Sequence, residues 1–217
     1  MRIKFFLIII IICILNLISC SFKKESILIG ERIYVDDYEF TNIIEEYSDE
    51  TYNDAFFVSD FYIKNFYDQL NKEAIDLKSN KNISSLLTNA FKVVINIGNY
   101  EFLRFVNYEY GMFEYDPSDI KENVELFGEY FALMLDSVIT YNQNIVVISP
   151  FPYLILNHDI NSIYLKIIES YIAMIDVICD EYEVKNIKTI KLQKYLVRNK
   201  VLNKIGAEQL VKMIYDD

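Results

Sequence analysis

Short apolar runs that stop at glycine or proline alternate with segments whose apolar residues return every three or four positions, and this alternation leaves few folds open. The clearest runs are Ser26–Gly30, Lys92–Ile97 before Gly98, and Asn144–Ser149 before Pro150. Each holds consecutive apolar residues rather than one at every second position, as in a strand buried on both faces. Ala55–Val58 and Val184–Ile190 read as two more. Between them, Asp36–Glu46, Phe61–Lys78, a long segment opening at Asp116-Pro117, and about Ser162–Tyr182 carry a helical period. Lys78–Ile83 reads as a polar loop, and Asn203–Tyr215 closes the chain as a helix. Strands alternating with helices imply right-handed crossovers and a parallel sheet covered on both faces. The expected fold is one α/β domain, three-layer and doubly wound, with a mostly parallel five-stranded sheet of flavodoxin-like type. Such sheets bind ligands beyond the carboxyl ends of their strands. The residues that follow Ile29, Val58, Ile97 and Ile148 are therefore the ones to read for chemistry.

The first twenty residues follow a different logic. Arg2 and Lys4 precede an uncharged stretch from Phe5 to Ile18, which has the basic start and apolar middle of a secretory signal. At fourteen residues, with Asn16 inside it, the stretch is short for a membrane span, which needs about 20 apolar residues. It ends in Leu17-Ile18-Ser19-Cys20, which resembles the lipobox of bacterial lipoproteins. The resemblance implies cleavage before Cys20, a diacylglyceryl group on its sulfur, and a place on the extracytoplasmic face of the cell membrane. The expected organisation is a signal peptide at 1–19, a tether at 20–25 and a domain at 26–217.

Charge and cysteine content fit that reading. Loss of Arg2 and Lys4 leaves 19 basic against 32 acidic residues, a net charge of −13. Such a chain repels nucleic acid and anionic headgroups, so membrane attachment is expected through the acyl chains. Cys13 leaves with the signal and Cys20 takes the lipid, so Cys179 remains alone and no internal disulfide forms. On an apolar helical face, Cys179 reads as a small buried hydrophobe. No cysteine and histidine cluster of metal-binding type is present, and neither a metal nor a cofactor is expected.

Four stretches at the strand ends carry a second resemblance: Gly30-Glu31-Arg32-Ile33, Val58-Ser59-Asp60, Gly98-Asn99-Tyr100-Glu101, and Asn199-Lys200-Val201-Leu202-Asn203-Lys204-Ile205-Gly206. In order and position they resemble the motifs of the SGNH (GDSL-type) hydrolases: Gly-Asp-Ser, a glycine, Gly-x-Asn-Asp, and Asp-x-His-x-Asn-x-x-Gly. The resemblance implies the fold of esterases and lipases, but not their catalysis. Acyl transfer there needs a serine nucleophile, a histidine base and an aspartate that orients it. Arg32 stands at the serine position, Val201 at the histidine and Asn199 at the aspartate. Tyr100 replaces the asparagine that donates to the oxyanion, and no glycine follows the second strand.

The expected protein is thus a lipid-anchored SGNH-like lipoprotein that has lost ester hydrolysis and serves as a binding or structural module. Glu31, Arg32, Tyr100 and Glu101 are the ligand-binding candidates, with Arg32 suited to a small anionic or glycan ligand. The favoured reading of the same four residues is nevertheless a buried polar plug filling the old pocket, since internal Arg–Glu pairs satisfy both charges. The competing reading is an active envelope esterase with a displaced site, pairing His158, the sole histidine, with Ser149 or Ser59. Ser59-Asp60 reads otherwise as the N-cap of a helix beginning at Phe61. A solute-binding lipoprotein would be expected to have two lobes.

Overall fold

The computed structural model describes residues 24–48, 50–57, 62–76, 80–99, 101, 117–151, 158–197 and 201–216. The signal, Cys20, Ser59, Tyr100 and Asn199 lie outside them. In chain order the elements are β1 (Lys24–Gly30), β2 (Tyr34–Val35), β3 (Tyr38–Glu39), α1 (Phe40–Tyr47), β4 (Glu50–Phe57), α2 (Ile63–Asn71), β5 (Ile75–Asp76), β6 (Lys81–Asn82), α3 (Ile83–Asn89), β7 (Val93–Asn96), α4 (Pro117–Tyr141), β8 (Ile145–Ile148), α5 (His158–Glu181), β9 (Lys185–Ile187), a 3-10 helix (Thr189–Tyr195), β10 (Leu196–Val197), β11 (Val201–Leu202) and α6 (Lys204–Tyr215). β1 starts inside the stretch read as tether.

Five strands make the main sheet in the order β4-β1-β7-β8-β9, and every pair is parallel. This is the doubly wound arrangement, with the order reversing between β1 and β7. The continuous apolar runs arise because the sheet is covered on both sides. Ile27, Ile29, Val93, Ile95, Ile145 and Val147 face a core closed by α2, α3, α4 and α5, where Phe66, Phe131, Leu135, Tyr171 and Ile175 are fully enclosed. The alternate residues Leu28, Val94, Val146 and Ile148 face a second core under α1 and α6, with Ile44, Leu210 and Val211. Each fully buried Leu, Ile or Phe contributes about 1.5–3 kcal/mol before its ordering cost. Among the described residues no helix is long and apolar enough to cross a membrane.

The local readings need three corrections. The region read as a helix from Asp36 begins as a hairpin, β2–β3, and turns helical only at Phe40. Asp37 takes the left-handed conformation there (φ 58°), which aspartate tolerates in a tight turn. The helix expected over Phe61–Lys78 runs only Ile63–Asn71, and its N-cap position is Tyr62, which makes no side-chain cap. Past it, β5 and β6 form a hairpin, and α3 occupies residues assigned to no element. The C-terminal helix is as expected, with Asn203 Oδ1 accepting the Gly206 N–H at 2.8 Å.

A second, small sheet has the order β10-β11-β2-β3. It joins the connection that leaves β1 to the connection that enters α6. Leu202 pairs in parallel with Val35, and the Asp36 N–H donates to the Leu202 carbonyl at 2.9 Å.

Candidate functional site

The carboxyl ends of β1 and β7 meet at a point fixed by backbone contact. Gly30 (φ 102°) runs so close to β7 that only a residue without a Cβ fits. The Glu31 N–H donates to the Asn96 carbonyl at 2.8 Å, and Asn96 Nδ2 returns a bond of 2.8 Å to the Glu31 carbonyl. Asn96 Oδ1 is buried and accepts no hydrogen bond among the described residues. Gly98 (φ 95°) plays the matching part after β7, where a Cβ would stand 2.6 Å from Pro150 Cγ. Next to it, buried Asn99 accepts the Phe151 N–H at 2.8 Å. The loops after β7 and β8 are thereby locked together, and the Thr189 hydroxyl ties the second of them to the 3-10 helix through the Pro150 carbonyl.

The candidate residues divide across this surface. Glu31 is buried at 3% exposure, whereas the Arg32 side chain is 59% exposed. Burial alternates from Glu31 to Val35: Ile33 and Val35 point inward, so Arg32 and Tyr34 point out. The guanidinium pairs with Glu39 at 4.0 Å and lies 5.8 Å over the Tyr34 ring. A buried arginine plug therefore does not form. Arg32 instead borders a cavity of about 230 Å³ with Tyr34, Tyr38 and Glu39.

Glu101 lies on the side covered by α2, α4 and α5. It is buried, and its Oε1 accepts the Ile63 N–H at 2.6 Å. It supplies from across the fold the cap that Tyr62 does not, placing a carboxylate at the positive end of α2. The same carboxylate borders a cavity of about 340 Å³ with Tyr62, Asn123, Phe127, Tyr130 and Tyr171.

Val201 is half-buried and laddered with Val197 in β11, where it can accept no proton. The Ser149 hydroxyl donates to Asn186 Oδ1 at 2.9 Å, Asn186 Nδ2 donates to Asp176 at 2.6 Å, and Lys188 completes the chain at 2.6 Å. An amide oxygen thus occupies the place a general base would need. His158 opens α5. Cys179 is buried, and burial pushes its thiol up to about 12. Among the described residues no group of three or more His, Cys, Asp or Glu could hold a metal.

One polar cluster was invisible in the sequence. Glu50 accepts from the Ser26 hydroxyl at 2.6 Å and the Tyr215 hydroxyl at 2.8 Å, and Tyr52 meets Tyr215 at 2.6 Å. The Lys92 ammonium lies 3.7 Å from the Tyr215 ring centre. The cluster binds the amino-terminal ends of β1 and β4 to the end of α6, opposite the candidate site, and Ser26 is wholly buried.

No family model and no curated protein matches the sequence. Solved structures match its fold. A lipase/acylhydrolase from Enterococcus faecalis superposes with a TM-score of 0.60 at 14% identity, covering 88% of this chain and 93% of that one. A lipase from a goat rumen metagenome gives 0.65 at 13% identity over 88% and 96%. The acetylxylan esterase Axe2 from Geobacillus stearothermophilus gives 0.59 at 11% identity over 89% and 95%. Two other Axe2 structures are of catalytic mutants, one with an aspartate and one with a histidine changed to alanine. The chain has the α/β fold of these lipases and esterases, the SGNH-hydrolase-like fold.

Proposed function

We propose that this chain is a lipoprotein of the bacterial cell envelope, held on the extracytoplasmic face by acylated Cys20, whose SGNH-like domain binds a ligand and no longer hydrolyses esters. The observation that carries the loss of hydrolysis is the β2–β11 ladder. It sews together the two connections in which the family's nucleophile and base would stand. Arg32 projects outward beside it and Val201 is a ladder residue, so neither chemistry nor position favours acyl transfer. By the sequence resemblance, Asn199 and Val201 stand where the family's aspartate and histidine would be, and neither can orient or act as a base. Binding would fall at the strand ends, where Arg32 and Glu101 each border a cavity, and would suit a small anionic or glycan ligand.

The test is labelling of the full-length protein in non-ionic detergent with an alkyl fluorophosphonate, followed by peptide mass spectrometry. No serine should be modified while an active serine hydrolase in the same tube is. Modification at Ser149 or Ser59 would instead establish an active site displaced from the family's position. The anchor is tested by Cys20→Ala, which should leave the membrane fraction or remain unprocessed. Persistence in the membrane at the mature size would overturn lipidation at Cys20.

A further inference from the structure

The net negative charge hides a strong separation of charge. Residues 93–184 carry three basic residues against fifteen acidic ones. From Lys185 to Lys212 there are eight basic residues and one acidic one, Glu208. The fold concentrates part of that basic segment on one concave surface. β9 is an outer strand of the main sheet, and along it lies a cavity of about 390 Å³ bordered by Lys185, Lys188, Lys191 and Lys212, with Gln209 and Asp216.

Two of these lysines are already engaged. Lys185 donates to the Ile214 and Asp216 carbonyls at the end of α6, and Lys188 is bound to Asp176. Lys191 and Lys212 are exposed and have no carboxylate partner among the described residues. Lysines on an outer strand guard it against pairing with another chain. That accounts for Lys185, but not for Lys191 on the 3-10 helix or Lys212 on α6. Two elements besides β9 thus border the same hollow with lysines that no carboxylate neutralises among the described residues, and clefts lined by one sign of charge raise the local concentration of anions. Lysine holds phosphate as a point charge, without the fixed fork of arginine.

We propose that this hollow is a binding site for a phosphate-bearing ligand, separate from the strand-end site. The phosphate could belong to a soluble molecule or to an anionic phospholipid of the membrane in which the protein is anchored. Only the second source rests on the lipoprotein reading, and neither depends on the loss of ester hydrolysis.

Lysine acetylation footprinting of the full-length protein, read by mass spectrometry, tests the site and its source. One arm adds inorganic pyrophosphate to protein in neutral detergent. The other compares discs of phosphatidylcholine alone with discs that also contain phosphatidylglycerol. In at least one arm, acetylation of Lys188, Lys191 and Lys212 should slow by about threefold, which corresponds to roughly two-thirds occupancy. Lys64, Lys72 and Lys121 should be unaffected. Protection by pyrophosphate identifies a soluble ligand, and protection confined to phosphatidylglycerol discs a headgroup. The double variant Lys191→Glu/Lys212→Glu, with an unchanged thermal midpoint, should lose the protection at Lys188. Protection spread evenly over all lysines, absent from both arms, or retained in the double variant would overturn the site.

Discussion

A Cβ on Gly30 would stand 2.1 Å from the carbonyl oxygen of Asn96, closer than any non-bonded contact allows. The contact is to backbone, so no side chain can swing aside. Gly30→Ala combines that clash with a φ of 102°, and should cost about 3 kcal/mol or more. The urea midpoint would fall accordingly. A loss under about 0.5 kcal/mol would mean that β1 and β7 can separate at no cost.

Arg32 gives the opposite expectation. Its pair with Glu39 is long and open to water, and such pairs are worth about 0–1 kcal/mol. Arg32→Ser should therefore leave the thermal midpoint nearly unchanged. A large destabilisation would show that the side chain supports the fold after all.

Glu101 should behave as a structural cap. Glu101→Ala removes a charge-assisted acceptor from the Ile63 N–H, and is expected to cost about 2 kcal/mol. Amide exchange should quicken in the first turn of α2 before it does in β7. Equal acceleration in both would assign the loss to general destabilisation.

Alkaline pH should loosen the fold. Burial pushes the Tyr215 phenol from 10.0 up to about 12 and the Cys179 thiol from 9.0 up to about 12, and it raises Tyr52 as well. A raised pKa means tighter proton binding in the folded state, so this stability is intact below pH 9 and is lost as pH climbs to 12. The urea midpoint should decline across that window. With Cys179→Ala the decline should begin nearer 10, where the tyrosines take over.

What could be read in advance follows from how far apart the determinants lie. β1, β7 and β8 were legible because burial on both faces leaves an unbroken apolar run. α6 was legible because Asn203 and Gly206 cap it within four residues. β4 was half-missed: Glu50, Thr51, Asn53 and Asp54 are polar because it is an outer strand. The β2–β3 hairpin was missed because Tyr38, Phe40, Ile43 and Ile44 also fit a helical stripe, and only the Asp36-Asp37 turn breaks it. At the site, the identities of Arg32, Asn199 and Val201 could be read directly, and the expectation of lost hydrolysis rests on them. Which carboxylate Arg32 would face was not, because the choice of Glu39 depends on that hairpin. Nor was the bond by which Glu45 accepts the Tyr52 N–H at 2.8 Å, because it joins α1 to β4 across a turn.

The Ser26–Glu50–Tyr215 cluster also sets the order in which the chain can be completed. Ser26 belongs to the first strand of the main sheet and Tyr215 ends the last helix, and both hydroxyls converge on one carboxylate oxygen. During vectorial synthesis the corner around β1 must wait, its carboxylate short of a donor, until residue 215 has emerged. A nascent chain that stops short of that point would keep the second core open, because Ala207, Leu210, Val211 and Ile214 of α6 are what close it.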